Sequence, residues 1–161
     1  MVLGSISKIE PLTMKYSIPC LMKSLRLTTN GKIRAFIVEQ IVNFNGTPAA
    51  PYILNFLKSD VETPPKIDLD LTLTQGLVSA IFVSIVQTHP TEIEPLLNII
   101  QKELSFAEGN FKMVIISILG TLSQRTELVI PILQKELDSE INDEMHNYIE
   151  KTLDFAKKNA N

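Results

Sequence analysis

The sequence predicts an all-α chain of short antiparallel helical hairpins, and three observations carry that expectation. Four proline-led apolar segments recur, with prolines at 19, 51, 95 and 131. Between them lie apolar residues at helical spacing, joined by short connections rich in Gly, Asn and Pro. The apolar content is aliphatic: 45% of the 161 residues are hydrophobic, aromatics make up 6% and Trp is absent. Such a composition suits helix packing better than an aromatic-rich sandwich.

The proline-led segments run through Ile18-Pro19-Cys20-Leu21, Ala50-Pro51-Tyr52-Ile53, Glu94-Pro95-Leu96-Leu97 and Ile130-Pro131-Ile132-Leu133. Successive prolines are 32, 44 and 36 residues apart, and an aliphatic residue follows each by two positions. Proline is tolerated in a first helical turn, where the amide it lacks would have no partner. Each segment therefore reads as the opening of a helix. The intervening helices carry Ile33, Phe36, Ile37, Gln40 and Ile41 after Asn30-Gly31, then Leu77, Ala80, Ile81, Ser84 and Ile85 after Thr74. A third carries Met113, Ile116, Ser117 and Leu119 after Gly109-Asn110. A last helix, 141 to about 157, has one stripe of Met145, Tyr148, Ile149, Leu153 and Ala156. Thr91 ahead of Glu94 has the spacing of a capping box. The tally is about eight helices.

The stretch Asn30 to Asp60 resembles a HEAT repeat. Lys32-Ile33-Arg34-Ala35 begins a first helix, Asn45-Gly46-Thr47-Pro48 makes the turn, and Ala49-Ala50-Pro51-Tyr52-Ile53-Leu54 begins the second. Thr74 to Leu104 and Gly109 to Leu137 are looser copies, in which Arg34 is not echoed, and residues 14–28 look like the second helix of a truncated first repeat. The resemblance, HEAT-like or armadillo-type, implies a short right-handed α-solenoid of three to four helical hairpins forming a single domain over 1–161. The segment Met113 to Leu122 fits such a stack, being apolar almost all round and so needing cover on several sides. The last helix, with Glu144, Asn147, Glu150, Lys151 and Lys158 free to face water, reads as a terminal cap.

One segment departs from the pattern. Glu62-Thr63-Pro64-Pro65-Lys66 breaks any helix and makes an inserted Pro-rich loop of about 60–74. Its second half, Ile67 to Thr74, alternates apolar and polar residues at a strand period. It is expected either to pack Ile67, Leu69, Leu71 and Leu73 along the stack, which is the favoured arrangement, or to serve as a docking strand.

Functional signals are sparse. The single cysteine excludes an intramolecular disulfide, and Cys20 beside Ile18 and Leu21 reads as an inert core thiol. His89 and His146 form no ligand pair, and Asp68 with Asp70 lacks the glycine-turned loop of a calcium site. No phosphate loop, nucleophile elbow or dinucleotide fingerprint is present, so neither an enzyme nor a cofactor is expected. An isoelectric point near 5.4 and the lack of Trp argue against nucleic acid. The opening residues lack a basic-then-apolar leader, and the apolar run 111–122 is too short for a bilayer, so a cytoplasmic protein without a membrane partner is expected.

Charge is nevertheless polarised. Residues 1–35 carry Lys8, Lys15, Lys23, Arg26, Lys32 and Arg34 against Glu10 alone, a net +5, which leaves −8 for the rest of a chain of net charge −3. Seven residues beyond the four prolines stand Arg26, Lys58, Lys102 and Asp138, and four beyond stand Lys23, Asn55, Ile99 and Lys135. In a HEAT-like stack the second helices line the concave surface. The resemblance therefore makes Lys23, Arg26, Lys58, Lys102 and Lys135 candidate partner-binding residues for an acidic peptide or protein surface. The competing reading is that these cations complement helix dipoles and stay hydrated. The resemblance also implies an alternative, a HEAT-like bilin lyase that binds a tetrapyrrole, and a third reading is a segment of a larger assembly that self-associates through its N-terminal hairpin.

Overall fold

A computed structural model describes residues 11–62 and 71–159. Every regular element among them is helical, with eight α-helices and shorter turns of 3-10 and π type. By its contacts the chain divides into two compact units, Met1–Glu92 and Ile93–Asn161.

In the first unit, α1 (Pro11–Leu27) buries Met14, Ile18, Met22 and Leu25, one residue per helical turn on a single stripe. The helix starts eight residues before the proline that was expected to open it, so Pro19 lies in its interior. Cys20 is exposed rather than a core thiol, because the buried stripe passes through Ile18 and Met22 and turns position 20 outward. Helix α2 (Gly31–Gln40) is capped by Asn30, whose side chain accepts from the amides of Lys32 at 3.0 Å and Ile33 at 3.3 Å. Arg34 reaches back from α2, its Nε donating to the Thr28 carbonyl at 2.7 Å just beyond the end of α1. Of the expected α2 stripe, Ile37 and Ile41 are buried, while Ile33 and Phe36 are about half exposed.

A single π turn, Ile41–Asn45, follows α2 directly and ends at Gly46, whose amide donates to the Ile41 carbonyl at 2.9 Å. Gly46 has φ +46°, a backbone state that side chains rarely tolerate, and an added Cβ would stand 2.9 Å from a Glu92 carboxylate oxygen. A 3-10 turn, Thr47–Ala49, leads into α3 (Ala50–Glu62), with Pro51 in its first turn as predicted and Ala50, Ile53, Leu54 and Leu57 buried. Helix α4 (Leu71–Thr88) packs on α1 and α3 and buries Val78, Ile81, Phe82 and Ile85.

Two expectations change here. The strand-like alternation ends in a helix, since Leu71 to Thr74 already belong to α4; Ile67 to Asp70 lie outside the described residues. The buried face of α4 is also turned from the predicted one, with Thr74, Val78 and Phe82 inward and Ala80 exposed. After α4, a 3-10 turn (Pro90–Glu92) carries Glu92 onto the α2–α3 connection, where its carboxylate accepts the Thr47 amide at 2.9 Å.

The second unit holds α5 (Ile93–Leu104), α6 (Gly109–Leu122), α7 (Val129–Ser139) and α8 (Asp143–Asn159). Pro95 and Pro131 stand in the first turns of α5 and α7, as predicted. Helix α6 is the centre: it packs against α5, α7 and α8, and buries Phe111, Val114, Ile115, Ile116, Ile118, Leu119 and Leu122. That explains a helix with almost no polar side. Gly120 lets α8 come close, for a Cβ there would meet Thr152 Cγ2 at 2.8 Å. Helix α8 buries Met145, Ile149, Leu153 and Ala156, while Glu144, Asn147, Glu150, Lys151 and Lys158 face water. Asn142 caps it, accepting from the Met145 amide at 2.9 Å.

Candidate functional site

The five cations singled out in the sequence fall into three kinds of environment. Arg26 sits on the flank of α1, beside the buried stripe, and its side chain is only 10% exposed. It pairs with Asp60 near the end of α3, and the same Asp60 oxygen accepts the Thr74 hydroxyl of α4 at 3.2 Å. The Phe56 ring lies 5.5 Å from the guanidinium carbon, and Nε has no hydrogen-bond partner among the described residues. Arg26 therefore ties three helices together inside its unit instead of presenting a cation to solvent. A flanking position explains this: roughly a quarter turn from the buried face, a long side chain runs along the neighbouring helix.

Lys58 is intermediate, its side chain 41% exposed and its ammonium 3.8 Å from Glu62 one turn on. Exposed pairs of that kind contribute little. Lys23, Lys102 and Lys135 are exposed on α1, α5 and α7, away from the buried stripes of their helices. The first unit thus carries Lys23, Arg26 and Lys58, and the second carries Lys102 and Lys135.

The most organised polar cluster was not singled out by sequence reasoning. Lys112, near the start of α6, lies 2.6 Å from Glu140 and 3.4 Å from Glu136, and all three side chains are at most 16% exposed. Burial opposes the Lys112 charge, but the two carboxylates outweigh it and raise the lysine above its usual pKa. Glu140 is held below the usual carboxylate range, first by the Lys112 hydrogen bond and then by the Asn142 amide. Glu92 is lowered as well, chiefly because the Thr47 amide donates to it.

This clamp forms one wall of a cleft of about 380 Å³ lined by Ala107, Glu108, Gly109, Asn110, Lys112, Met113, Glu140, Asn142, Glu144 and Met145. The only sequence cue was the pair of breakers that bound it, Gly109-Asn110 and Asn142-Asp143. Beside its lining residues in the chain stand Phe106, 75% exposed, and Ile141, 96% exposed. Among the described residues no three of His, Cys, Asp and Glu come together as a metal site, and no helix is long and apolar enough to cross a membrane. Compared with family models, with curated proteins and with solved structures, the chain matches none.

Proposed function

We propose that this chain is a non-catalytic protein-binding module, a HEAT-like right-handed stack of helical hairpins that acts as an adaptor or regulatory subunit for an acidic partner. The observation that carries the reading is the exposure of Lys23, Lys102 and Lys135 on helices whose apolar faces are buried. Lysines held away from the core keep their charge for a partner and steer its approach. Lys58 is partly exposed and pairs with Glu62, and Arg26 contributes through packing.

The test is affinity capture from cell extract, comparing the wild-type chain with a Lys102→Glu/Lys135→Glu variant of unchanged helicity. Retention of an acidic protein by the wild type and its loss by the variant supports the reading. Equal retention by both removes these lysines from the interface.

A second reading, a segment of a larger assembly joined through its first hairpin, is favoured by one observation. Tyr16, Leu27, Ile33 and Phe36 are each about half or more exposed on α1 and α2. It calls for concentration-dependent association in light scattering that a Phe36→Ser substitution weakens. A strict monomer over the accessible range counts against it.

A further inference from the structure

We infer that the cleft at the starts of α6 and α8 is a docking site for a short basic and apolar segment of a partner protein. It would place an aliphatic side chain against the apolar part of the lining and lysine or arginine against the acidic part. This site is independent of the lysines discussed above and of opposite charge preference.

Part of the lining is apolar and adaptable. Ala107 and Met145 are each 8% exposed, Met113 is half-buried, and thioether side chains reshape at little cost to fit different aliphatic groups. A volume near 380 Å³ lies within the range of sites that take a side chain or small ligand.

Two large exposed hydrophobes, Phe106 and Ile141, stand next to lining residues in the chain, and the backbone at each is held. Ile141 lies between two anchored neighbours. Glu140 accepts the Asn142 amide at 2.9 Å while bonded to Lys112, and Asn142 in turn caps α8. Phe106 is held similarly: its amide donates to the Glu103 carbonyl at 3.2 Å, and the Ala107 amide donates to Leu104 at 3.1 Å. A backbone held in this way has less freedom for binding to remove. Next in the chain to lining residues, the two add exposed apolar surface for a partner to cover.

Charge decides which segment fits. The lining carries Glu108, Glu140 and Glu144 against Lys112, whose ammonium is already held between Glu136 and Glu140. Glu108, Asp143 and Glu144 are exposed. The three lining carboxylates and Lys112 sum to two negative charges, which exceed the partial positive charge of the two adjoining helix starts, about half an elementary charge each. The net field therefore attracts cations and repels acidic segments.

The experiment is fluorescence anisotropy of the full chain with two labelled peptides. One has two leucines flanked by arginines in a glycine and serine frame, and the other replaces the arginines with glutamates. The basic peptide is expected to bind about tenfold or more tightly than the acidic one, and to weaken as salt rises. Glu108→Lys/Glu144→Lys, at two exposed positions, should abolish that preference with helicity unchanged and the melting temperature lowered by only a few degrees, since each lysine replaces an acid at a helix start. Ile141→Ser should lower affinity for the basic peptide several-fold. Equal binding of the two peptides, no binding at millimolar concentration, or an unaltered affinity in both variants overturns the inference. So does a wild-type dimer that Ile141→Ser converts to a monomer, because the cleft would then be covered by a second copy of the chain.

Discussion

The two units secure their helices with charge in different ways. In the first, one guanidinium and one carboxylate, Arg26 and Asp60, sit 10% and 12% exposed between α1 and α3, with the Thr74 hydroxyl of α4 as a third member. In the second, one ammonium, Lys112, is shared by two carboxylates, Glu136 and Glu140, at the end of α7 and just beyond it. The Arg26 pair is neutral in sum and leaves Nε without a partner, whereas the Lys112 cluster is one charge negative. Removing the cation should hurt the first unit more. Arg26→Leu abandons a buried carboxylate beside Phe56 and should cost about 3 kcal/mol in denaturant unfolding. Adding Asp60→Leu should recover most of that loss, since a matched pair of buried charges contributes little net stability over apolar replacements. If the double variant is no more stable than the single one, Asp60 is held chiefly by Thr74 and the comparison fails.

The next test concerns how each unit makes its tight approaches. Gly46→Ala in the first unit meets two obstacles, a φ of +46° and the Glu92 carboxylate at 2.9 Å, and should cost about 2 kcal/mol. Gly120→Ala in the second meets only the Thr152 methyl at 2.8 Å in ordinary helix, so its cost should be smaller and partly recovered by Thr152→Ser. Thermal melts of the three variants check both statements.

These contrasts also show which features could be read from the sequence. Helical periodicity, the first-turn positions of Pro51, Pro95 and Pro131, and the break at Asn30-Gly31 depend on residues close in the chain, and each was legible. Pro19 broke the rule because the helix around it draws on the buried stripe Met14, Ile18, Met22 and Leu25, which outweighs one missing amide bond. Leu71 to Thr74 look like strand only in isolation. As the first turn of α4 they are anchored through Thr74 to Asp60, 14 residues back. Of the proposed partner-binding cations, Lys23, Lys102 and Lys135 are exposed, while Arg26 is engaged by an aspartate 34 residues away. The acidic cleft stayed hidden for the same reason, since its walls come from the α5–α6 and α7–α8 connections about 30 residues apart.

The Lys112 cluster should show itself in pH dependence. Lys112→Met leaves Glu136 and Glu140 without a cation and should cost about 1–2 kcal/mol at neutral pH, less than Arg26→Leu. Glu140 has a lowered pKa, so its contribution is present above the ordinary carboxylate range and is lost as pH falls through that range toward the lowered value. Lys112 has a raised pKa, so its contribution is present below the ordinary lysine range and is lost as pH rises through the raised value. In Lys112→Met both should diminish, giving a shallower fall in melting temperature on the acid side and on the alkaline side. An unchanged pH profile would mean that the clamp is formed in the unfolded chain as well, or not at all.

The smallest effect separates the units by their helix caps. Asn30 and Asn142 do the same job, each accepting from amides of the first turn it precedes. Their settings differ: α2 has no acidic residue in its first turn, whereas α8 has Asp143 and Glu144 there. An added negative charge should therefore be welcome at one start and redundant at the other. Asn30→Asp keeps the capping oxygen, faces the Lys32 side of α2 and should stabilise by about 0.3–1 kcal/mol at low salt. Asn142→Asp keeps its oxygen too, but joins two carboxylates and should be neutral or slightly destabilising. Melts at low and high salt read the difference directly, because the Asn30→Asp gain should shrink as salt rises. Equal gains at both positions would show that the acids already at α8 do not interact with its dipole, and that the difference in charge between the two helix starts has no energetic consequence.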